Sequence, residues 1–344
     1  MISEQLSRIL GGKIVLITGA GGTLGSEICR QVSELAPARI VCLGRRAANL
    51  NAVRDELRLR APDVDVTTEV CDVRERSRLA AVFAVHCPSI VFHAAAKKEI
   101  RDAEANPADA VMVNAQGTTN VVELALDGDS EMLLFTSSTK ACQPASVMGA
   151  TKRLGEMIVS SAASLSGRAY FSVRLSNILE SSGGVHALFR RQIESGGPVT
   201  VTHPDAERTF VSAAETAHLL LEALTLCPKG SVLVLAAGKK KRIAELAQSL
   251  IGSYGLQASQ DIDVEYTGLR RGERLVEEIS IDGSEWLATA HDKILISGVD
   301  AEPVPSASFH NSMRKLILAA NSGDAIVLLE QLQKIVPDYL PPDR

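Results

Sequence analysis

The stretch ITGAGGTLGSE, Ile17 to Glu27, decides the fold. It follows the apolar run KIVL, and its glycines fall at Gly19, Gly22 and Gly25 in the spacing T-G-x-x-G-x-x-G. Each glycine meets a separate demand at a strand-to-helix turn. The first turns the chain tightly, the second lets backbone approach a pyrophosphate, and the third lets the helix pack on the strand. The helix is predicted to open near Thr23, with Leu24 in its first turn, so that its N-terminal amides face phosphate. A glycine-rich turn alone also fits an ordinary loop. Strand, spacing, helix and second strand in this order point to a dinucleotide site.

Outward from this stretch, apolar runs alternate with helix-length amphipathic segments: KIVLITG, ARIVCLG, VDVTTEVCD, SIVFHAAA and EMLLFTSS. That alternation predicts an α/β protein, a Rossmann-type doubly wound parallel sheet with helices on both faces. FSVRLSN (171–177) and SVLVLAAG (231–238) are expected to return to the same sheet. The loop-forming GGPVTVTHPDAERTF (196–210) and helices over about 213–225 and 243–254 suggest a smaller C-terminal substrate-binding lobe. The expected division is a dinucleotide domain over 1–175, with 231–238 returning to it, and the lobe mainly over 176–344. EPVPS (302–306) reads as a connection before a last helix pair.

At 344 residues the chain can bury one large core or a large and a small one. Its 36 basic and 41 acidic residues give a net charge of −5, with no basic block to neutralise a nucleic-acid backbone. Nucleic acid and anionic membrane are therefore not expected as partners. The six cysteines, Cys29, Cys42, Cys71, Cys87, Cys142 and Cys227, form no C-x-x-C pair and read as reduced thiols of a cytoplasmic protein. No metal site is expected. The N-terminal MISEQLSRILGGK lacks the apolar segment of a signal peptide, and no stretch approaches the ~18 apolar residues of a membrane helix.

Roughly 20 residues past the last glycine, an NAD site would carry an acid for the ribose 2′-hydroxyl. Gly44, Arg45 and Arg46 stand there instead. Two guanidiniums suit a 2′-phosphate, so NADP is expected over NAD; the same residues also fit a solvated loop. Asp72, after the third strand, suits the adenine amino group or a helix N-cap equally.

Residues 136–153, TSSTKACQPASVMGATKR, raise the chemical question. Short-chain dehydrogenases place Ser/Thr and then Tyr-x-x-x-Lys in this order, whereas here Met148 precedes Lys152. With TGAGGTLGSEICRQ, VFHAAAKKE followed by Glu104 and the pair Asn106-Pro107, NAQGTTNV, GGPVTVTHPDAERTF and TGLRRGERLVEE, the chain resembles the extended short-chain dehydrogenases acting on nucleotide sugars. Within them it is similar to the UDP-N-acetylglucosamine 4,6-dehydratase and capsule-biosynthesis epimerase group, from about residue 11 to VPDYLPP at 336–342. Many members carry a membrane domain ahead of the matching portion. The resemblance implies cofactor contacts at Val73, Ala94, Ala95, Ala96, Asn114 and Lys152, beside those above. It implies substrate contacts at Lys98, Asn177, Arg208, Arg270 and Glu273. It also implies a homodimer or higher homo-oligomer built on helices around 109–126 and 148–165, whose apolar positions (Val111, Val113, Val121, Val122, Leu124, Leu154, Met157, Ile158) suit a monomer core equally.

One branch of the group also reads VMGATKR, and there an STDKA segment supplies the chemistry a tyrosine would share. Aligned on KA, this chain has Ser137, Ser138, Thr139 and Lys140, so a threonine stands where the acid belongs. A threonine cannot give a carboxylic proton to a departing hydroxide, which puts water elimination in question. Other departures are Lys98-Glu99 for a K-H pair, Leu175-Ser176 within R-x-G-N, and Glu180 and Ser182 in the next loop. The proton relays that remain are Lys140, Ser138, Thr139, Lys98 and Glu99, with Lys140 foremost because desolvation draws a lysine toward neutrality. Lys140 also fits a solvated loop, Glu99 a helix start, and Met148 helix packing. The expected function is NADP-dependent oxidation of a nucleotide sugar at C4, followed by epimerisation or reduction. Dehydration by an atypical acid, and a non-catalytic NADP-binding sensor, are the alternatives.

Overall fold

The structure, a computed structural model, describes residues 4–179, 181, 183–226, 229–277, 286–297 and 307–341. Glu180, Ser182, Cys227 and the 302–306 connection singled out above lie outside the described residues. Apolar runs alternate with helices from the start. β1 (Ile14–Thr18), β2 (Arg39–Gly44), β3 (Asp65–Val70), β4 (Ile90–His93), β5 (Met132–Ser138) and β6 (Ala169–Leu175) come first. Then follow β7 (Asn177–Ile178), β8 (Val199–Val201), β9 (Glu207–Val211), β10 (Val232–Leu235), β11 (Lys239–Arg242), β12 (Val264–Tyr266), β13 (Trp286–Ala288) and β14 (Ile294–Ser297).

The main sheet has nine strands in the order β13-β14-β10-β6-β5-β4-β1-β2-β3. It is parallel from β10 to β3, and β14 and β13 close the far edge antiparallel. Strand order reverses at β1, with β2 on one side and β4 on the other, which opens a crevice at their carboxyl ends. Successive side chains of a strand point to opposite faces. Leu16 accordingly joins one apolar cluster, while Val15 and Ile17 join the other. A sheet covered on both faces explains why its strands read as continuous apolar runs.

The smaller body pairs β11-β9-β7 and β12-β8 with helices Val185–Glu194 and Ile243–Ser253. Its own core holds Phe189, Val199, Val201, Phe210, Ile243 and Leu250. The part after residue 176 is thus shared: β10, β13, β14, helix Ala213–Leu226 and the last helix pair, Ala307–Ser322 and Ala325–Ile335, belong to the large body.

That helix pair bears on the expected dimer. Phe309, Met313, Leu316, Leu328, Leu332 and Tyr339 join the same cluster as Val111, Val147 and Leu154. Helix Val147–Ser166 is consequently buried at 15 of its 20 residues. Val111, Val113, Val121, Val122, Leu124, Leu154 and Ile158 are all buried within the one chain, and Met157 packs against them. The apolar positions from which a two-chain interface was expected are covered intramolecularly. Among the described residues no helix is long and apolar enough to cross a membrane.

Candidate active site

One cavity of about 620 Å³ runs from the glycine turn, past the ends of β4 and β5, to the smaller body. The turn is built as its sequence requires. Gly19 sits at φ +72°, and a Cβ there would come within 2.8 Å of Ala95 N. A Cβ at Gly25 would stand 2.2 Å from Gly19 O, so only glycine lets helix Thr23–Ser33 lie this close to β1. Gly22, Thr23 and Leu24 line the same end with Ala94, Ala95 and Ala96. This narrow, amide-rich cradle fits a pyrophosphate.

Arg45 and Arg46 line the cavity at the end of β2, with Asp72 and Val73 beside them. Arg45 Nη1 is 3.8 Å from Asp72 Oδ2, and the Arg45 side chain is largely exposed. Asp72 accepts from the backbone and guanidinium of Arg74. Burial pushes its carboxyl up, but the Arg74 bonds outweigh burial and hold it below the usual range. It therefore caps the turn ahead of helix Arg76–His86 while facing the cavity.

Asn114 is the cofactor residue that the geometry places elsewhere. It is buried in a π-helical turn, Met112–Gln116, outside the cavity lining. Its amide bonds Lys97 O, Lys97 N and Thr151 Oγ1, so it ties the β4 exit to helix Val147–Ser166. A family motif showed the asparagine; only the fold shows that its side chain is engaged by Lys97 backbone and the Thr151 hydroxyl.

Lys152 stands at the middle of the cavity wall. Its Nζ donates to Thr136 O at 2.7 Å and lies 4.6 Å from the Phe135 ring centroid. Burial lowers its ammonium to about 7, against a smaller upward pull from Glu156. Burial thus draws the Lys152 ammonium toward neutrality. His93, bonded to Thr18 and Thr118, is pulled down to about 3 by burial and then by Lys152, so it is neutral. Met148 lies one turn before Lys152, buried in the apolar cluster and touching the cavity, with no proton to give.

The turn after β5 carries Ser138, Thr139 and Lys140. Ser138 Oγ accepts from Lys140 N, capping the short 3-10 turn Thr139–Ala141. Lys140 Nζ reaches Asn177 Oδ1 at 2.8 Å and Glu277 Oε1 at 2.8 Å. Thr139 does not line the main cavity; it faces a small side cavity and donates to Glu277 Oε2 at 3.3 Å. Glu277 also meets Arg208 Nε at 2.9 Å and Asn177 Nδ2 at 3.1 Å. Burial raises its carboxyl, but Lys140 and Arg208 more than reverse that and keep it an anion. Glu277 lies inside the GLRRGERLVEE stretch, yet nothing local in the sequence marked it out.

Arg208 lines the cavity, but its donors point into protein: Glu207 O, Leu275 O, Glu273 Oε1 and Glu277 Oε1. Glu273 is further held by Thr202 and accepts from Arg270 N. The Arg270 side chain stays exposed at the cavity's far end. Lys98 and Glu99 line the wall at the β4 exit, with Gly183 of the smaller body near the Glu99 carboxylate. Burial raises the Glu99 carboxyl above its ordinary value, and Lys98 partly offsets it.

Beneath this wall, Glu156 is fully buried between Arg174 (two contacts of 2.8 Å) and Ser137 Oγ (2.6 Å). Burial pushes its carboxyl up, and Arg174 brings it below the usual range. This pair fixes Ser137 beside Ser138 and joins β6 to the helix of Lys152.

Comparison with known proteins agrees with this arrangement. The capsular polysaccharide biosynthesis protein CapD of Staphylococcus aureus is 40% identical over 297 residues, 86% of this chain and 49% of the relative. The chain thus spans about half the length of that relative. A UDP-glucose 4-epimerase of Rickettsia canadensis is 28% identical over 81% of this chain and 80% of its own. Among solved structures, Pen from Bacillus thuringiensis superposes with a TM-score of 0.75 at 28% identity, over 83% of this chain and 89% of that one. The sequence profile described as "Polysaccharide biosynthesis protein" matches residues 15–298, and on that match the chain belongs to the polysaccharide biosynthesis family of extended short-chain dehydrogenases.

Proposed function

We propose that the chain is an NADP-dependent enzyme that remodels the sugar of a UDP-hexose or UDP-N-acetylhexosamine, through oxidation at C4 followed by epimerisation or reduction. The observation that carries this reading is the single cavity joining the glycine cradle, Lys152 and Lys140 to Arg270 and Glu273 of the smaller body. The names of the CapD and epimerase relatives support the substrate class. A nicotinamide dinucleotide in the cradle would supply the hydride acceptor. Arg45 and Arg46 would hold its 2′-phosphate.

Lys152, buried and near neutral, can take or release a proton in the cavity that Ser138 also lines. Lys140, held between Glu277 and Asn177, would meet the sugar from the end of β5. Thr139 offers no carboxyl, which weighs against water loss. A second reading, dehydration with an atypical acid, has one observation behind it: Glu99 faces the cavity with its carboxyl raised by burial. Mass spectrometry after incubation with NADP and UDP-N-acetylglucosamine or UDP-glucose separates the readings. A sugar nucleotide of unchanged mass, or a reduced or oxidised one, supports the first. A product lighter by one water supports the second, and no product with any sugar nucleotide leaves a non-catalytic NADP-binding protein.

A further inference from the structure

At the reacting end of the cavity, two cations have no carboxylate within ion-pair distance among the described residues. Lys140 is met by Glu277, and Arg208 by Glu273 and Glu277. Lys98 and Arg101 line the same cavity, both exposed, and among the described residues neither forms a hydrogen bond or a close ion pair. Their position is the sugar end: Ile100, between them, also lines the side cavity with Thr139 and Lys140. Glu99, the one carboxylate between them, is kept weakly acidic by burial. Arg270, exposed at the other end, remains for a diphosphate.

We propose that the sugar carried by the nucleotide bears a carboxylate, and that Lys98 and Arg101 hold it. This rests on the nucleotide-sugar reading above. A neutral sugar offers hydroxyl and acetamido oxygens, which accept a cation's hydrogen bonds but leave two neighbouring positive charges uncompensated. A carboxylate takes an arginine fork through two parallel bonds and the lysine as a point charge.

The test is calorimetric titration of the full chain, loaded with NADP, using UDP, UDP-N-acetylglucosamine and UDP-N-acetylglucosaminuronic acid. The acidic sugar nucleotide is expected to bind at least about tenfold tighter than the neutral one. Arg101→Ala should remove most of that difference while leaving the other two affinities within about twofold, and Lys98→Ala should remove most of it as well. Equal affinity for acidic and neutral sugars overturns the proposal. So does a loss shared by all three ligands, because the pair would then hold the diphosphate; so does a preference that survives both substitutions. Failure of all three to bind overturns the nucleotide-sugar reading together with this one.

Discussion

Glu277 and Lys140 meet at 2.8 Å across the seam between the large sheet and the smaller body. The contact sets an anion against the lysine that follows β5 and ties it to Arg208 and Asn177 through one carboxylate. The other lysine of this wall, Lys152, is drawn to about 7 by burial, and the first expectation follows from that.

Lys152 should make the ligand-free protein more stable as pH rises from about 7 toward 10. Its folded ammonium titrates at about 7, below the ordinary lysine value of 10.5, because burial disfavours the charge. Across that window the unfolded chain binds the extra proton, so the penalty is full below pH 7 and fades above it. Urea denaturation of Lys152→Met should show a gain over the unmodified chain, on the order of 3 kcal/mol at pH 6 and far smaller at pH 10. A gain independent of pH contradicts the assignment.

NADP should bind more tightly than NAD, by about tenfold, and Arg45→Asp should reverse the order by setting a carboxylate beside the 2′-phosphate. Calorimetry that finds equal affinities in the unmodified chain removes the reason for both arginines.

Thr139→Asp should raise any release of water from UDP-N-acetylglucosamine by about 10²-fold. The new carboxylate would face Glu277, now 3.3 Å from Thr139 Oγ1, and two adjacent carboxylates hold one proton between them at higher pH than either alone. If the product mass stays unchanged, the missing carboxyl was not the obstacle.

Gly25→Ala should cost roughly 1–3 kcal/mol and abolish dinucleotide binding, since its Cβ would fall 2.2 Å from Gly19 O. A variant with normal stability and normal NADP affinity would show that helix and strand can part there.

Light scattering at micromolar concentration should give the mass of one chain, because the apolar positions expected to pair are buried within it and residues 307–341 pack on helices Pro107–Val111 and Val147–Ser166. A stable two-chain mass means that some other face joins the copies.

What the sequence made legible was what local backbone geometry dictates. Gly19, Gly22 and Gly25, the strands β1 to β6, and Lys152 one turn after Met148 follow from spacing alone. Glu277 was not legible, because its role comes from partners at 140, 177 and 208 that only the fold assembles. Asn114 was legible as a residue type, but no motif reports that its amide bonds Lys97 and Thr151. The last helix pair was legible as a pair, but nothing in the sequence said that helix Val147–Ser166 would be a surface it covers.

That covering has a consequence for how the protein is made. Leu340 N bonds Pro144 O at 3.0 Å, and Asp338 lies 3.8 Å from Arg153, so the chain's last described residues pin the segment that leads into the helix of Lys152. A ribosome releases the glycine cradle and the central strands long before these residues emerge. During that interval the helix of Lys152 has an apolar flank open to water and to other nascent chains. Folding of the reacting end therefore waits for residues 307–341, and chaperone demand during synthesis should fall sharply once they are free of the exit tunnel.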